Sequence, residues 1–319
     1  MSLLLVVNGS GENWGPEPWL RRFGDRLPGR RVLIADDRQA PPVDGFRYAA
    51  VWKPAPGFLA RCKGLEVIFN LGAGVDALLK DASLPAVPLV RVVNDDLTRR
   101  MTEYVVLHCL MQHRRQRMLD AAQARAEWAA KDQWAASAVR VGILGLGELG
   151  QDAALVLQRI GFDVAGWSRT RKSVPGVRSY AGEAELAAFL GRTDILVALV
   201  PLTPDTTGIL DRRLFEGLAR DGRLGAPVLI NAGRGGLQNE ADILACLDDG
   251  TLGWATLDVF HTEPLPADSP FWRHPKVTVT PHNAADSDAE AISDGIVAQI
   301  RKYEAGEPLQ NIVDRARGY

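Results

Sequence analysis

The feature that most constrains the fold is a glycine pattern near the middle of the chain, GLGELG at residues 145–150. It directly follows the apolar run VGIL and precedes a segment of helical composition that extends to about Ile160. Gly145 permits a tight turn, Gly147 lets a ligand approach the backbone, and Gly150 lets helix and strand pack closely. The pattern therefore predicts a strand, a tight turn and a helix in succession.

A helix that begins at such a turn favours a phosphate, because its first amide groups are unpaired and its dipole is positive at this end. We therefore predict that residues 145–150 bind the pyrophosphate of a dinucleotide. Leu146, Glu148 and Leu149 complete the turn between the glycines.

Short apolar runs bounded by turn residues recur on both sides of this motif. Five precede Thr98, namely LLLVV, RVLIA, AAVWKP, LEVIFNLG and VPLVRVV, and six lie between Val139 and His282. Helical segments separate many of them, and this alternation predicts an α/β protein with parallel sheets. A chain of 319 residues exceeds one typical core, so two domains are expected.

Two other segments are predicted as helices. Residues 98–130 contain no glycine or proline and are rich in helix-forming residues, so one long helix is expected there. A second helix is predicted around Ala289–Ala305. Because no strand remains for it to accompany, we expect it to pack on the N-terminal unit.

Composition excludes several classes of protein. The 37 basic and 39 acidic residues nearly cancel, so neither nucleic acid nor an anionic membrane is an expected partner. The three cysteines are far apart, which favours a reducing compartment, and the start MSLLLVVNGS resembles a first strand rather than a signal peptide. No run approaches the roughly 18 apolar residues of a membrane span. The histidines show no paired spacing typical of a metal site, and the cytoplasm is the expected location.

The segment after the next strand bears on the choice of dinucleotide. NAD-binding proteins usually place a carboxylate there, which would repel a 2′-phosphate. This chain has Ser168, followed by the cations Arg169, Arg171 and Lys172. Charge-assisted hydrogen bonds from such cations would attract the phosphate, so NADPH is predicted as the preferred cofactor and NADH as an alternative.

Three residues with suitable chemistry follow three later strands. Arg234 lies in NAGRGG, Glu263 in DVFHTEP and His282 in VTPHNA. The carboxyl ends of parallel strands meet at the crevice where α/β sheets bind ligands. Reduction of a 2-oxo acid needs a cation for the carboxylate and carbonyl oxygen, which Arg234 can supply, and a proton, which His282 can donate. Glu263 would orient the imidazole.

These segments, together with PLTPDTTGIL and LDVFHTEPLP, resemble the D-isomer-specific 2-hydroxyacid dehydrogenases over nearly the whole chain. NLGAGVD, WSRTRKSVPGV, SPFWRHPKVTVTPH and DRARGY resemble the glyoxylate/hydroxypyruvate reductase A group of that family. The resemblance implies two domains with parallel sheets, a Rossmann-like cofactor domain inserted into a flavodoxin-like substrate domain, and a homodimer. It also implies that Arg234 anchors the substrate, that Glu263 orients His282 and that His282 donates the proton.

The resemblance implies further site residues. The loop formed by Leu71, Gly72, Ala73, Gly74 and Val75 would hold the substrate carboxylate through its amides, as small-residue loops can. Trp52 would line the same pocket, Phe271 and Trp272 would cover it, and Trp128 would reach a neighbouring subunit. Additional cofactor contacts are expected from Val200, Pro201, Thr206, Ala232, Gly233 and Asp258.

Residues 1–98 and 287–319 are expected to form the substrate domain, and residues 99–286 the cofactor domain. NDDLTRRMTEYVV matches the group's interdomain hinge only in part, and Asn283 and Asp286 make the region after His282 unusually polar. The leading interpretation is an NADPH-dependent oxidoreductase that reduces glyoxylate and hydroxypyruvate. Two alternatives stay open, a dehydrogenase of larger 2-oxo acids and a binding protein that senses dinucleotides.

Overall fold

The computed structural model describes residues 2–9, 14–38 and 44–318. The chain divides into two compact units. Unit 1 comprises Met1–Leu97 and Ser287–Tyr319, and unit 2 comprises Thr98–Asp286. Each unit is built around one parallel sheet, so the predicted α/β class is confirmed.

The strands of the described residues follow each other in this order: β1 (Ser2–Val7), β2 (Arg31–Ile34), β3 (Tyr48–Trp52), β4 (Val67–Asn70), β5 (Leu89–Val90), β6 (Arg140–Leu144), β7 (Asp163–Ser168), β8 (Arg178–Ala181), β9 (Ile195–Ala198), β10 (Val228–Asn231), β11 (Trp254–Leu257) and β12 (Val277–Val279). The helices are α1 (Pro16–Arg26), α2 (Asp76–Leu79), α3 (Asp95–His113), α4 (Gln116–Ala124), α5 (Glu148–Ile160), α6 (Gly182–Leu190), α7 (Arg212–Glu216), α8 (Glu240–Asp248) and α9 (Ala289–Glu304).

The sheet of unit 1 has the order β2-β1-β3-β4-β5, which is the flavodoxin-like arrangement. Every residue of β1 is buried, as expected for a central parallel strand covered on both faces. Helices α1 and α9 pack together on this unit, where Phe23 and Ile296 belong to one apolar cluster. Arg26 pairs with Asp294 of α9 at 2.6 Å, so the C-terminal helix packs on the N-terminal unit.

The sheet of unit 2 has the order β12-β11-β10-β9-β6-β7-β8. Its first strand in sequence, β6, lies between β7 and β9, so the strand order reverses at β6, as in doubly wound dinucleotide-binding sheets. The edge strand β8 was not predicted from the sequence. Its residues RSYA are half-exposed or exposed and pair only with β7, so they need no apolar run.

The single long helix predicted over residues 98–130 is wrong. Helix α3 ends at His113, and Arg115 takes a left-handed conformation with φ of 55° before α4 begins. Helix α4 ends at Ala124, and residues 125–135 form no helix. Arg117, just past the break, donates to Thr278 Oγ1 at 3.0 Å. Helix propensity alone therefore does not set the bounds of these helices.

Two kinds of feature are absent from residues 2–9, 14–38 and 44–318. No helix in these ranges combines the length and apolar composition that a bilayer span requires. Groups of three or more His, Cys, Asp or Glu side chains arranged to hold a metal ion do not occur there. Cys62, Cys109 and Cys246 are buried, and Cys62 Sγ donates to the Phe58 carbonyl at 3.6 Å.

Candidate active site

The glycine turn joins β6 to α5 at the point where the strand order reverses. Gly145 has a φ of 118°, and a Cβ atom there would lie 2.7 Å from the backbone nitrogen of Val200. A Cβ atom on Gly150 would lie 1.9 Å from the carbonyl oxygen of Gly145, so helix and turn touch. A Cβ atom on Gly147 would meet nothing within 4 Å. The turn is thus closed toward the protein and open at Gly147, as a phosphate cradle requires.

The other residues of the turn divide between packing and exposure. Leu146 is fully buried, and its side chain lies against Gly166 of β7. Glu148 begins α5 on the exposed side, and Leu149 is half-buried against the core. Leu146 can therefore contact a ligand only through its backbone.

The predicted phosphate-binding cations follow β7 on the surface of unit 2. The Ser168 hydroxyl donates to the carbonyl of Thr170 at 2.7 Å, which folds the segment back on itself. Arg169 and Lys172 are exposed. Arg171 donates to the Ser179 carbonyl at 2.6 Å and forms an ion pair with Glu185.

Glu185 therefore places a negative charge beside the predicted phosphate site. A backbone hydrogen bond from Ala181 and the nearby Arg171 lower the pKa of this carboxyl, so it stays ionised at neutral pH.

Apart from Asp258, which follows β11, the remaining predicted cofactor residues lie on loops after β9 and β10. Val200 and Ala232 are buried, whereas Pro201 is exposed. Thr206 donates to the Pro201 carbonyl at 2.7 Å and accepts a hydrogen bond from the Thr203 amide at 2.8 Å, which fixes this loop. The amide of Gly233 donates to Asn231 Oδ1 at 3.1 Å.

Glu263 and His282 are brought into direct contact. Nδ1 of His282 lies 2.7 Å from Oε2 of Glu263, whose Oε1 accepts the amide of Phe260 at 2.9 Å. An ionised carboxylate only accepts hydrogen bonds, so the proton of this bond sits on Nδ1. The other ring nitrogen, Nε2, is then the one that can exchange a proton with a ligand. The His282 side chain is 48% exposed, so a ligand can reach it.

Arg234 follows β10 on a loop that touches the Glu263 loop. A Cβ atom on Gly235 would lie 1.9 Å from the carbonyl oxygen of Phe260, so the two backbones are in contact. The half-buried Arg234 donates to the Gly233 carbonyl at 2.8 Å. The loops that carry the guanidinium and the carboxylate therefore form one connected surface of unit 2.

A buried amide pair supports these two loops from below. Asn231 Nδ2 donates to the carbonyl of Arg234 at 3.2 Å and to Oε1 of Gln238 at 2.8 Å. Nε2 of Gln238 in turn donates to the carbonyl of Val259 at 3.0 Å. Both side chains are fully buried. Removing either one would leave a buried polar group without its partner, which costs about 1–3 kcal/mol.

Asp258 is fully buried and holds the loop that carries His282. Its carboxylate accepts hydrogen bonds from the amides of Asn283 and Ala284, both at 3.0 Å. Its own carbonyl accepts the amide of His282 at 2.8 Å. These described contacts join Asp258 to the chain itself, and its role at a cofactor stays a prediction.

The predicted carboxylate-binding loop of unit 1, residues 71–75, is shaped by Asn70 at the end of β4. The buried Asn70 Nδ2 donates to the carbonyls of Gly72 and Gly74 at 2.7 and 2.9 Å. The Gly72 carbonyl also accepts the amide of Val92 at 3.1 Å. Two carbonyls are thus held inward, and within the described ranges no residue accepts the amides of Ala73 or Gly74.

The flanking residues of this loop, Leu71 and Val75, are buried and anchor it in the core. Trp52 at the end of β3 packs on it, because a Cβ atom on Gly72 would lie 2.5 Å from Trp52 Cζ3. The indole also contacts Trp14, with ring centroids 4.8 Å apart. Unit 1 therefore brings Trp52 and the predicted anion loop together.

The three remaining aromatic predictions differ in outcome. Phe271 does not cover a site, because it is 2% exposed and packs against Phe260 in the core. Trp272 is 49% exposed, and its indole donates to the Pro266 carbonyl at 2.9 Å. Trp128 is 97% exposed on the segment after α4. The reach of Trp128 into another subunit stays a prediction.

The supporting asparagines were not predicted from the sequence. Asn70 and Asn231 each end an apolar strand, in VIFN and VLIN, and each is followed by a small-residue loop. A polar residue that ends a buried strand must find internal partners. The position of these asparagines at the end of an apolar strand was the sequence signal that could have identified them.

Comparisons with known proteins place this architecture in a family. The family model described as D-isomer specific 2-hydroxyacid dehydrogenase, NAD binding domain, matches residues 106–284. The glyoxylate/hydroxypyruvate reductase A of Serratia proteamaculans (strain 568) is 42% identical over 309 residues, which cover 95% of this chain and 96% of that protein.

Solved structures agree with these matches. An NADPH-dependent glyoxylate/hydroxypyruvate reductase from Sinorhizobium meliloti, in complex with NADP and sulfate, aligns with a TM-score of 0.93 and 47% identity, covering 100% of this chain and 99% of the other. A probable 2-hydroxyacid dehydrogenase from Rhizobium etli CFN 42, in complex with NADP, HEPES and L(+)-tartaric acid, has a TM-score of 0.93 and 45% identity, with 99% of both chains covered. The resemblance found in the sequence is confirmed, and the chain belongs to the D-isomer specific 2-hydroxyacid dehydrogenase family.

Proposed function

We propose that this protein is an NADPH-dependent oxidoreductase that reduces small 2-oxo acids, with glyoxylate and hydroxypyruvate as substrates. The observation that carries the proposal is the 2.7 Å hydrogen bond between His282 and Glu263, in the same unit as the glycine turn. The names of the relatives support the substrate class, and NADP in two solved relatives supports the cofactor.

The residues present suit the cofactor. The open space at Gly147 and the start of α5 suit a pyrophosphate. Arg169, Arg171 and Lys172 would bind the 2′-phosphate of NADPH, which carries more negative charge than the single carboxylate of Glu185. When bound, NADPH supplies the hydride that reduces the substrate carbonyl.

The chain's own residues then have separate tasks. Arg234 binds the substrate carboxylate and stabilises the negative charge that develops on the carbonyl oxygen. His282, with its Nδ1–H held by Glu263, donates a proton from Nε2 to that oxygen. The carbonyl carbon gains a hydride and its oxygen gains a proton, so the product is a 2-hydroxy acid. The loop of residues 72–75 in unit 1 offers backbone amides as donors to a carboxylate.

The assembly and location belong to the same proposal. We infer a homodimer formed around α3, α4 and the segment that follows, where Leu107, Leu119 and Trp128 are 53%, 39% and 97% exposed. Exposed large apolar side chains are typical of interaction surfaces. Three buried cysteines that lie far apart in the sequence suit the reducing cytoplasm. Sedimentation at several protein concentrations tests the dimer, and a monomer throughout would contradict it.

The activity is tested by following absorbance at 340 nm with glyoxylate, hydroxypyruvate and phenylpyruvate, using NADPH and NADH in parallel. We expect oxidation of NADPH with the two small acids, and a loss of about 10²–10⁴-fold in the His282→Gln variant, which retains NADPH binding. A strong preference for phenylpyruvate would favour a dehydrogenase of larger acids. NADPH binding without turnover of any acid would favour the sensing protein.

A further inference from the structure

A chain of hydroxyl groups leads from helix α3 to the loop that carries His282. The Tyr104 hydroxyl lies 2.8 Å from Thr280 Oγ1, and the Thr280 hydroxyl donates to Oδ1 of Asp258 at 2.6 Å. Threonine has one hydroxyl hydrogen, and it is used on the carboxylate. Tyr104 must therefore be the donor to Thr280, so the chain runs in one direction, from Tyr104 to Asp258.

The end of this chain fixes the backbone of the proton donor. Asp258 accepts the amides of Asn283 and Ala284 through its carboxylate and the amide of His282 through its carbonyl. His282 has a φ of 53°, in the left-handed region that side chains other than glycine rarely adopt. Such a conformation persists only where the surroundings enforce it. The hydrogen bonds to Asp258 are those surroundings.

Tyr104 is well placed to make this chain rigid. It is 8% exposed, and its ring lies 4.2 Å from that of His108, which is also buried. Burial raises the pKa of Tyr104, so the phenol stays neutral and remains a donor. Because packing holds the Tyr104 ring, its hydroxyl keeps a fixed position from which it donates to Thr280.

We propose that Tyr104 is a positioning residue for His282 and acts through Thr280 and Asp258. The inference rests on the proposed function, in which His282 donates the proton. Loss of the Tyr104 hydroxyl leaves Thr280 Oγ1 without its buried donor and loosens Asp258. The loop then holds His282 less firmly against Glu263, which slows proton transfer more than it weakens cofactor binding.

The test is Tyr104→Phe, with Tyr48→Phe as the matched control. The Tyr48 hydroxyl also makes a partly buried contact, 3.3 Å from Glu304 Oε1, and both residues belong to unit 1. We expect kcat to fall about tenfold in Tyr104→Phe, as for one lost buried hydrogen bond. The dissociation constant of NADPH should stay within twofold, and Tyr48→Phe should keep the wild-type kcat. Equal kcat values in both variants would overturn the proposal.

A second pair of variants separates positioning from general loosening of the fold. Thr280→Val removes the hydroxyl at nearly constant size, and Thr280→Ser retains it. We expect Thr280→Val to lower kcat and Thr280→Ser to restore most of it. The double variant Tyr104→Phe/Thr280→Val should lose no more than Thr280→Val alone, because both changes break one chain. Additive losses of kcat would overturn the proposal. If Tyr104→Phe does not fold, the comparison of Thr280→Val with Thr280→Ser decides it.

A measurement without turnover distinguishes failure of this inference from failure of the proposed function. The chain has five histidines, so the imidazole NMR signals of His282 can be assigned as those that disappear in His282→Gln. We expect them to shift in Tyr104→Phe and in Thr280→Val, but not in Tyr48→Phe. An inactive wild type with these shifts would refute the proposed function alone. Unshifted signals would refute the positioning role.

Discussion

Two loops of nearly the same composition follow equivalent strand ends in the two units. NLGAG follows β4 in unit 1, and NAGRG follows β10 in unit 2. Both begin with a buried asparagine, but the two amides do different things. Asn70 donates to two carbonyls of its own loop, whereas Asn231 donates to one loop carbonyl and to Gln238, and accepts the amide of Gly233.

The difference separates two ways to bind an anion. In unit 1 the carbonyls of Gly72 and Gly74 are held inward, which leaves backbone amides as neutral donors. In unit 2 the loop carries a guanidinium, and its asparagine ties that loop to the one that bears Glu263. A formal charge can stabilise charge that develops during a reaction, whereas a ring of amides suits a group whose charge stays constant.

Arg234→Ala is expected to have the largest effect, because it removes the formal charge from the unit 2 loop. We expect kcat/KM to fall about 10²–10³-fold, with kcat strongly affected. Steady-state kinetics with glyoxylate and hydroxypyruvate measure this effect. Arg234→Lys keeps a charge without the planar fork and should recover only part of the rate. Unchanged kcat in Arg234→Ala would remove the contrast between the loops.

Asn70→Ala tests the neutral loop of unit 1. The Gly74 carbonyl loses its donor, and the Gly72 carbonyl keeps only the Val92 amide. A polar group left unpaired costs about 1–3 kcal/mol, so the loop should lose its shape. We expect KM for the 2-oxo acid to rise tenfold or more, while kcat at saturation and NADPH affinity change little. Asn70→Asp has the same size but cannot donate, and it should be at least as damaging. A KM in Asn70→Ala equal to that of the wild type would refute the prediction that this loop binds the substrate carboxylate.

Gly72→Ala addresses the packing of Trp52 on the same loop. The added Cβ would meet Trp52 Cζ3 at 2.5 Å, so the indole must move. We expect a KM increase of about threefold to fivefold, which Trp52→Phe in the same chain should partly reverse. Gly24→Ala on α1 is the control, because its Cβ would meet nothing within 4 Å. Similar KM values in Gly72→Ala and Gly24→Ala would contradict the close packing.

The smallest expected effect concerns the stability of unit 1 in acid. It shows whether the variants in the loop of unit 1 change only that loop or the stability of the whole unit. Glu304 accepts both guanidinium nitrogens of Arg30, at 2.7 and 2.9 Å. Burial raises the pKa of Glu304, but the hydrogen bonds and charge of Arg30 outweigh it, so the folded pKa lies below the usual value. The stabilisation is complete above the unfolded pKa of about 4.3 and is lost as the pH falls through the folded value.

Glu304→Gln should therefore lower the free energy of unfolding by about 1–3 kcal/mol at pH 7 and flatten its fall below pH 4.5. Denaturant unfolding at several pH values measures both changes, and kcat should not change. Glu66→Gln is the control, since its pair with Arg47 is more exposed and should contribute less. If Glu66→Gln lost more stability than Glu304→Gln, the larger contribution assigned to the pair of Glu304 with Arg30 would be wrong.

Much of the fold was predictable because it depends on local patterns. Apolar runs and turns predicted the strands of both sheets except β8, whose exposed edge needs no such run. The glycine turn was predictable because its shape comes from the backbone freedom of Gly145 and from the contact of Gly150 with the Gly145 carbonyl. The prediction of one long helix was wrong because helix propensity does not reveal the break at Arg115.

The candidate site was predictable in its chemistry but not in its supports. Arg234, Glu263 and His282 have side chains whose acid, base and charge properties are visible in the sequence. Asn70, Gln238 and Tyr104 are ordinary buried residues until their partners are known.

Periodicity, glycine stereochemistry and side-chain chemistry were enough to predict the parallel α/β architecture, the glycine turn and the identity of the reactive groups. The packed fold was needed to show which carbonyls of the NLGAG loop are held inward and which carboxylate holds the backbone of His282. Those choices depend on hydrogen bonds between groups far apart in the chain, such as Thr280 with Asp258. Such bonds have direction and length only after the strands have packed.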